Sequence, residues 1–167
     1  VFWYKKKIEG TVDITQKPYA AFIDEAVHNH PDYKILGLDT PVQAKTYFGG
    51  LRKFFDKVST KLGLSVIVAA HPKSNYSNEQ QKQFFGGRPV ILGMTPQLIK
   101  EADLVICHIS TAISFVVLSR KPVIFLTSDD IEKSYMKRQL ICITSWIGQR
   151  RINMDHIDEG DQKALQM

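Results

Sequence analysis

The sequence predicts an α/β domain of three layers, with a mostly parallel central sheet between helices. Three observations predict it. Apolar runs at residues 18–24, 64–70, 104–107 and 122–126 have the length and uninterrupted character of strands buried on both faces. Helix-start signals fall between them: Thr40-Pro41, Thr95-Pro96, Ser110 and Thr127-Ser128. Each run also leaves through polar residues, as strands do when a ligand crevice lies beyond their carboxyl ends.

The elements follow in order. Residues 1–17 read as a connecting segment or one or two edge strands, because Phe2 and Tyr4, and then Val12 and Ile14, alternate with their neighbours. Residues 18–24 form a first core strand that ends in Asp24 and Glu25. In a strand these two would face opposite sides, so they are not a cooperating carboxylate pair. A loop over residues 26–39 carries His28, His30 and Pro31, and loops of that length are uncommon without a function. Thr40 as N-cap, Pro41 at the first helical position and Gln43 in a capping box open the clearest helix. Its apolar face runs from Ala44 through Tyr47, Phe48, Leu51, Phe54, Phe55, Val58 and Leu62 at spacings of three and four. Gly49 and Gly50 interrupt the pattern, and Gly63 is placed to cap the C-terminus.

The strand at 64–70 (LSVIVAA) comes next and runs into His71-Pro72-Lys73-Ser74. A strand–helix–strand unit of this kind is parallel and right-handed. Residues 75–83 allow a helical turn or two, and Gly86-Gly87 bends the chain back to a short strand at 89–92. Thr95 caps a short helix over 96–102. The strand at 104–107 opens into a helix at 112–119, with Ser110 as its N-cap. The last unit pairs the strand at 122–126 with a helix that runs from Asp129 toward Trp146 and ends at Gly148. Residues 151–155 form an edge strand, and residues 158–167 read as a tail after a domain spanning 18–157.

Composition narrows the function classes. The chain has 167 residues, 44% of them hydrophobic and 23% charged, which suits one folded domain rather than a disordered segment. No apolar run approaches the roughly 18 residues of a membrane span, and no signal peptide is evident. The first residue is not Met and the pattern opens abruptly, so a piece of a longer protein is expected. Cys107 and Cys142 sit in apolar surroundings without metal-like spacing, as buried reduced thiols of a cytoplasmic protein would. The net charge of +5 favours an anionic partner, either a phosphate-bearing small ligand or an anionic membrane surface. It forms no basic stripe interleaved with aromatics, so nucleic acid is not expected.

Chemistry concentrates at the strand ends. His71 offers a ring nitrogen that can donate to a phosphate oxygen and gain a proton as charge builds; the alternative is a structural histidine. Lys73 and Ser74 would emerge beside it. Ser110, Thr111 and Ala112 offer hydroxyl and amide donors at a helix start, although Ser110 is equally a plain helix cap. Gly93 and Thr95 offer a second capped start. His108 is a ligand contact or hydrogen-bonds locally. His28 and His30 form a His-X-His pair without an evident third ligand, so no metal is expected there. There is no Gly-X-Gly-X-X-Gly, no Gly-Lys-Ser/Thr phosphate loop and no Gly-X-Ser-X-Gly.

The order His71-Pro72, Gly93-Met94-Thr95, the strand Ala102-Asp103-Leu104-Val105, Ser110-Thr111 and Lys121-Pro122-Val123-Ile124 resembles the C-terminal, nucleotide-binding half of GT-B-type glycosyltransferases. The bacterial surface-polysaccharide enzymes are nearest, both polysialyltransferase-like and CDP-glycerol glycerophosphotransferase-like. The resemblance covers about residues 70–126. It implies a Rossmann-like domain that binds a nucleotide-activated sugar or glycerol donor, CMP- or CDP-linked, as substrate and without a resident cofactor. His71 would then stabilise the leaving phosphate, with Ser110 and Thr111 binding it. The chain carries His108-Ile109-Ser110-Thr111 where the glycerophosphotransferases have Asp-Tyr-Ser-Ser, which leaves the donor open. The resemblance further implies an N-terminal domain that carries the acceptor site and a base, without which this domain would bind nucleotide and not turn over. It also implies a cytoplasmic location, at the inner face of the membrane. Two other classes compete: a sugar-nucleotide 2-epimerase-like isomerase and a non-catalytic α/β interaction module.

Overall fold

The computed structural model of the chain describes residues 18–157. The connecting segment or edge strands expected at 1–17 and the tail expected at 158–167 lie outside the described residues. Six strands form one sheet: β1 (Tyr19–Ile23), β2 (Ser65–Ala70), β3 (Val90–Leu92), β4 (Leu104–Cys107), β5 (Val123–Thr127) and β6 (Arg151–Asn153). Every pairing is parallel, and the order is β3-β2-β1-β4-β5-β6. The sheet is therefore wholly parallel rather than mostly so. The burial of β1, β4 and β5 along their whole lengths explains why they read as unbroken apolar runs.

The helices are α1 (Asp32–Leu36), α2 (Ala44–Leu62), α3 (Asn78–Phe85), α4 (Thr95–Glu101), α5 (Ile113–Leu118), α6 (Asp129–Lys133) and α7 (Met136–Ile147). The right-handed crossover rule puts α2 and α3 on one face of the sheet and α4 and α5 on the other, and each pair packs together. α2 buries Tyr47, Phe48, Leu51, Phe54, Phe55 and Val58 on its inner face, the stripe its spacing predicts. Phe22 of β1 meets Phe55 edge to face at 5.1 Å, which locks the strand under this helix. Tyr19 anchors the other layer by donating its hydroxyl to the Leu98 carbonyl of α4 at 2.8 Å.

The structure corrects several boundaries. α2 starts at Ala44, not at Pro41, and Thr40 does not cap it. Val42 is buried in the core, which holds Pro41 and Val42 in a turn, and the Gln43 N–H is met at 3.3 Å by Asp130 from α6. Thr95 and Ser110 do not cap helices with their side chains either: Met94 and Ala112 occupy the N-cap positions. The long loop contains α1, and the helix expected over 129–146 breaks at Ser134-Tyr135 into α6 and α7. Cys107 is buried as expected, but Cys142 is exposed. A Cβ at Gly50 in α2 would lie 3.0 Å from the Asp155 carboxylate beyond β6, so a side chain there would have to displace that carboxylate.

Candidate functional site

The strand order reverses between β1 and β4, and at such a switch point the connections leave in opposite directions and open a crevice. β1 enters it through Asp24 and Glu25, whose carboxylates turn to opposite neighbours. Asp24 serves the β2 side: its Oδ2 accepts the His71 N–H at 3.3 Å, the Ser74 hydroxyl at 3.1 Å and the Tyr76 hydroxyl at 3.0 Å. Its Oδ1 accepts the Ala26 N–H at 3.0 Å. That bond closes a tight turn in which Ala26, at φ 49°, takes the left-handed conformation, at a cost of about 1–2 kcal/mol for a residue with a Cβ. Glu25 serves the β4 side. Its Oε1 accepts the His108 N–H at 2.7 Å and the Ile109 N–H at 3.1 Å, and its Oε2 accepts the same Ile109 N–H at 3.0 Å. Two adjacent acids thus tie the carboxyl ends of three neighbouring strands together.

Glu25 sits at the cleft floor in an unusual state. Burial raises its pKa from 4.5 to about 7, the main-chain donors of Ile109 and His108 pull it back down, and the charge of Asp24 pushes it up again. A carboxyl held near neutrality in a cleft is a recognised mark of a functional site.

The cleft between these ends encloses about 780 Å³. It gathers His71, Thr95, Ser110, Thr111 and Ala112 of the sequence-predicted residues. Four others, Lys73, Ser74, Gly93 and His108, do not line it. Lys73 turns away to pair with Asp32 at 2.7 Å, and Ser74 is held by Asp24; both line a separate hollow beside Asn29 and Tyr76. Gly93 supplies a left-handed turn at φ 79° after β3 and does not line the cleft. The amide donors expected at the β4 exit are also largely engaged. Those of His108 and Ile109 go to Glu25, and the Ala112 N–H goes to the Ser110 Oγ at 3.1 Å.

His108 is withdrawn from ligands altogether. It is fully buried, with Nδ1 at 2.8 Å from the Leu126 carbonyl and Nε2 at 2.8 Å from the Tyr47 hydroxyl. A carbonyl can only accept, so Nδ1 carries the proton and Nε2 accepts from Tyr47. Burial lowers its pKa from 6.5 to about 4, against the opposing pull of the Leu126 carbonyl and Asp24. This histidine is a neutral strut between β4, β5 and α2.

The cleft also gathers residues that carry no sequence expectation as a site. Glu25 and His30 are two of them, the His30 ring centroid lying 4.8 Å from that of His71. The available signal was a repeated dipeptide: His30-Pro31 after the first strand matches His71-Pro72 after the second. His28 parts company with His30, lying against Phe48, Tyr76 and Phe84 instead. Among the described residues, no group of three or more His, Cys, Asp or Glu side chains is placed to hold a metal ion. The cleft can therefore do two things with its own groups: donate hydrogen bonds from imidazoles and hydroxyls, and exchange a proton at Glu25 near pH 7. No family model, curated protein or solved structure matches the chain.

Proposed function

We propose that this domain binds the nucleotide-activated donor of a GT-B-type glycosyltransferase or glycerophosphotransferase of surface-polysaccharide biosynthesis. One observation carries the reading: His71, Thr95, Ser110 and Thr111 leave three different strand ends and meet in one cleft at the switch point of a parallel sheet. In this reading the phosphates of a CMP- or CDP-linked donor lie against these hydroxyls and His71. The imidazole stabilises the negative charge that grows on the leaving phosphate as the glycosyl or glycerol group departs. Ser110 and Thr111 contribute hydroxyls rather than a bare loop of amides, since Glu25 already holds the amides of His108 and Ile109.

The acceptor and its base belong to a second domain. Leu36, Leu38, Phe115 and Tyr135 are exposed hydrophobics lining this cleft, which supports an apposed surface there. A place in the cytoplasm at the inner face of the membrane goes with the same reading. Arg138, Cys142 and Trp146 line a shallow apolar groove on α7 that suits peripheral contact with anionic lipid. Among the described residues, no helix is long and apolar enough to cross a membrane.

Calorimetric titration of CMP, CDP, UDP and GDP against the wild type and His71→Ala tests the nucleotide reading. A cytidine nucleotide is expected to bind in the micromolar range and to weaken at least tenfold in the variant. Absence of any nucleotide binding below millimolar, or equal binding by the variant, would sink it.

A further inference from the structure

His30 and His71 begin two copies of one local design. Each opens a His-Pro-X turn, one in the connection after β1 and the other after β2. In the first, the ring Nδ1 accepts the Asp32 N–H at 3.2 Å. In the second, it accepts the Lys73 N–H at 3.1 Å. A ring nitrogen that accepts a hydrogen bond holds no proton, so each neutral ring must carry its proton on Nε2. Both rings line the cleft, with centroids 4.8 Å apart and planes at 71°. Neither Nε2 has a partner among the described residues. Two adjoining rings thus each carry a proton on a nitrogen that donates to no group among the described residues.

The pair is unsuited to a cation, because its free nitrogens carry protons and its lone pairs are spent on the main chain. It suits an anionic oxygen. The surrounding charges are largely committed elsewhere. Asp24 is occupied by the His71 N–H, Ser74 and Tyr76 on the β1 side, while Lys73 is paired with Asp32 from α1. Asp32 also lies 3.6 Å from His30 Nδ1, and the Tyr33 ring lies 5.8 Å from the His30 ring. Burial, and then the neighbouring His30, hold His71 below its ordinary pKa, against Asp24 and Asp32. A bound anion would therefore meet the two Nε2–H groups, since both Nδ1 lone pairs are taken by main-chain N–H groups.

We propose that His30 and His71 form a paired-imidazole clamp for the phosphate group of the ligand in this cleft, gripping it through both Nε2–H groups. The nature of the ligand beyond its phosphate rests on the nucleotide reading above; the clamp itself does not.

The test uses CDP and inorganic pyrophosphate with wild type, His30→Asn and His71→Asn. An Asn side chain keeps an oxygen to accept the N–H two residues on and so preserves the turn, but it removes the Nε2–H. Calorimetric titrations at pH 7.5 give both affinities. Wild type is expected to bind both ligands. Each variant should lose affinity for both by about tenfold or more, the scale of a charge-assisted hydrogen bond. Nitrogen-15 spectra of the free protein should show both rings as Nε2–H tautomers. If His30→Asn binds both ligands like wild type, the clamp is wrong and the nucleotide reading is untouched. Pyrophosphate binding that needs both histidines, with no binding of CDP, upholds the clamp and removes the nucleotide. Failure of wild type to bind either ligand, or an Nδ1–H tautomer in either ring, overturns the clamp.

Discussion

Replacing Glu25 with Gln should change how stability depends on pH more than it changes stability itself. The carboxyl titrates at 4.5 when unfolded and at about 7 in the fold. Because the folded value is the higher one, the fold binds the extra proton: its contribution is whole below pH 4.5 and is lost as pH rises through 7. At roughly 1.4 kcal/mol per pKa unit, the ionised wild type gives up about 3 kcal/mol between pH 4.5 and 8. Glutamine cannot ionise and gives up none. It keeps an oxygen for the His108 and Ile109 N–H groups, both of which reach Oε1. The acid-side loss from His108 is common to both proteins and cancels in the difference. Urea melts at pH 4.5, 6, 7 and 8 measure this directly. With a slope of about 2 kcal/mol per molar urea, the midpoint of the Glu25→Gln variant should gain about 1.5 M on wild type over that range. Midpoints that run parallel from pH 4.5 to 8 would refute the reasoning, because Glu25 would then be an ordinary solvated carboxylate.

Two further outcomes are expected at His108, and one on α7. Tyr47→Phe deletes the donor to His108 Nε2 and leaves a buried nitrogen unpaired, which should cost about 1–3 kcal/mol in thermal or urea denaturation; a loss below about 0.5 kcal/mol would mean that this buried hydrogen bond does not hold His108. His108 itself, lowered to about 4 in the fold, contributes stability that is present above pH 6.5 and lost as pH falls toward 4, so wild type should weaken on that limb. On α7, Trp146→Ala should reduce co-sedimentation with vesicles of mixed neutral and anionic phospholipid several-fold, and equal partitioning of the two proteins would rule out that face as a membrane contact.

The strands and their order along the chain were legible because a parallel sheet buried on both faces leaves one kind of mark, an apolar run that ends in polar residues. Helix ends were less legible. Thr40-Pro41 has every local feature of a start, yet Val42 is worth more in the core than in a first turn, and Asp130 from 87 residues away meets the Gln43 N–H instead. Ser110 fails as a cap for a similar reason: its oxygen closes a turn onto Ala112 before the helix begins. The site was half legible. His71, Thr95, Ser110 and Thr111 announce themselves by lying next to strand ends. His108 looked the same in the sequence, and only the approach of Tyr47 and Leu126 shows that its ring points into the core. Glu25 and His30 needed the fold, since their roles depend on loops that come more than 40 residues later in the chain.

The place of β1 in the sheet bears on how this chain is made. β1 is the first of the described strands to leave the ribosome, and it is flanked in the finished sheet by β2 and β4. Its second flank closes when the Asp103 carboxylate takes the Tyr19 N–H, a contact that spans 84 residues. At translation rates of roughly 5–20 residues per second, that partner arrives about 4–17 s later. For those seconds a wholly apolar strand has at most one neighbour, β2, and the helix α2 as a partial cover. The nascent chain should therefore be a substrate for chaperones that hold exposed strands, and it should release them once the segment through Cys107 has emerged.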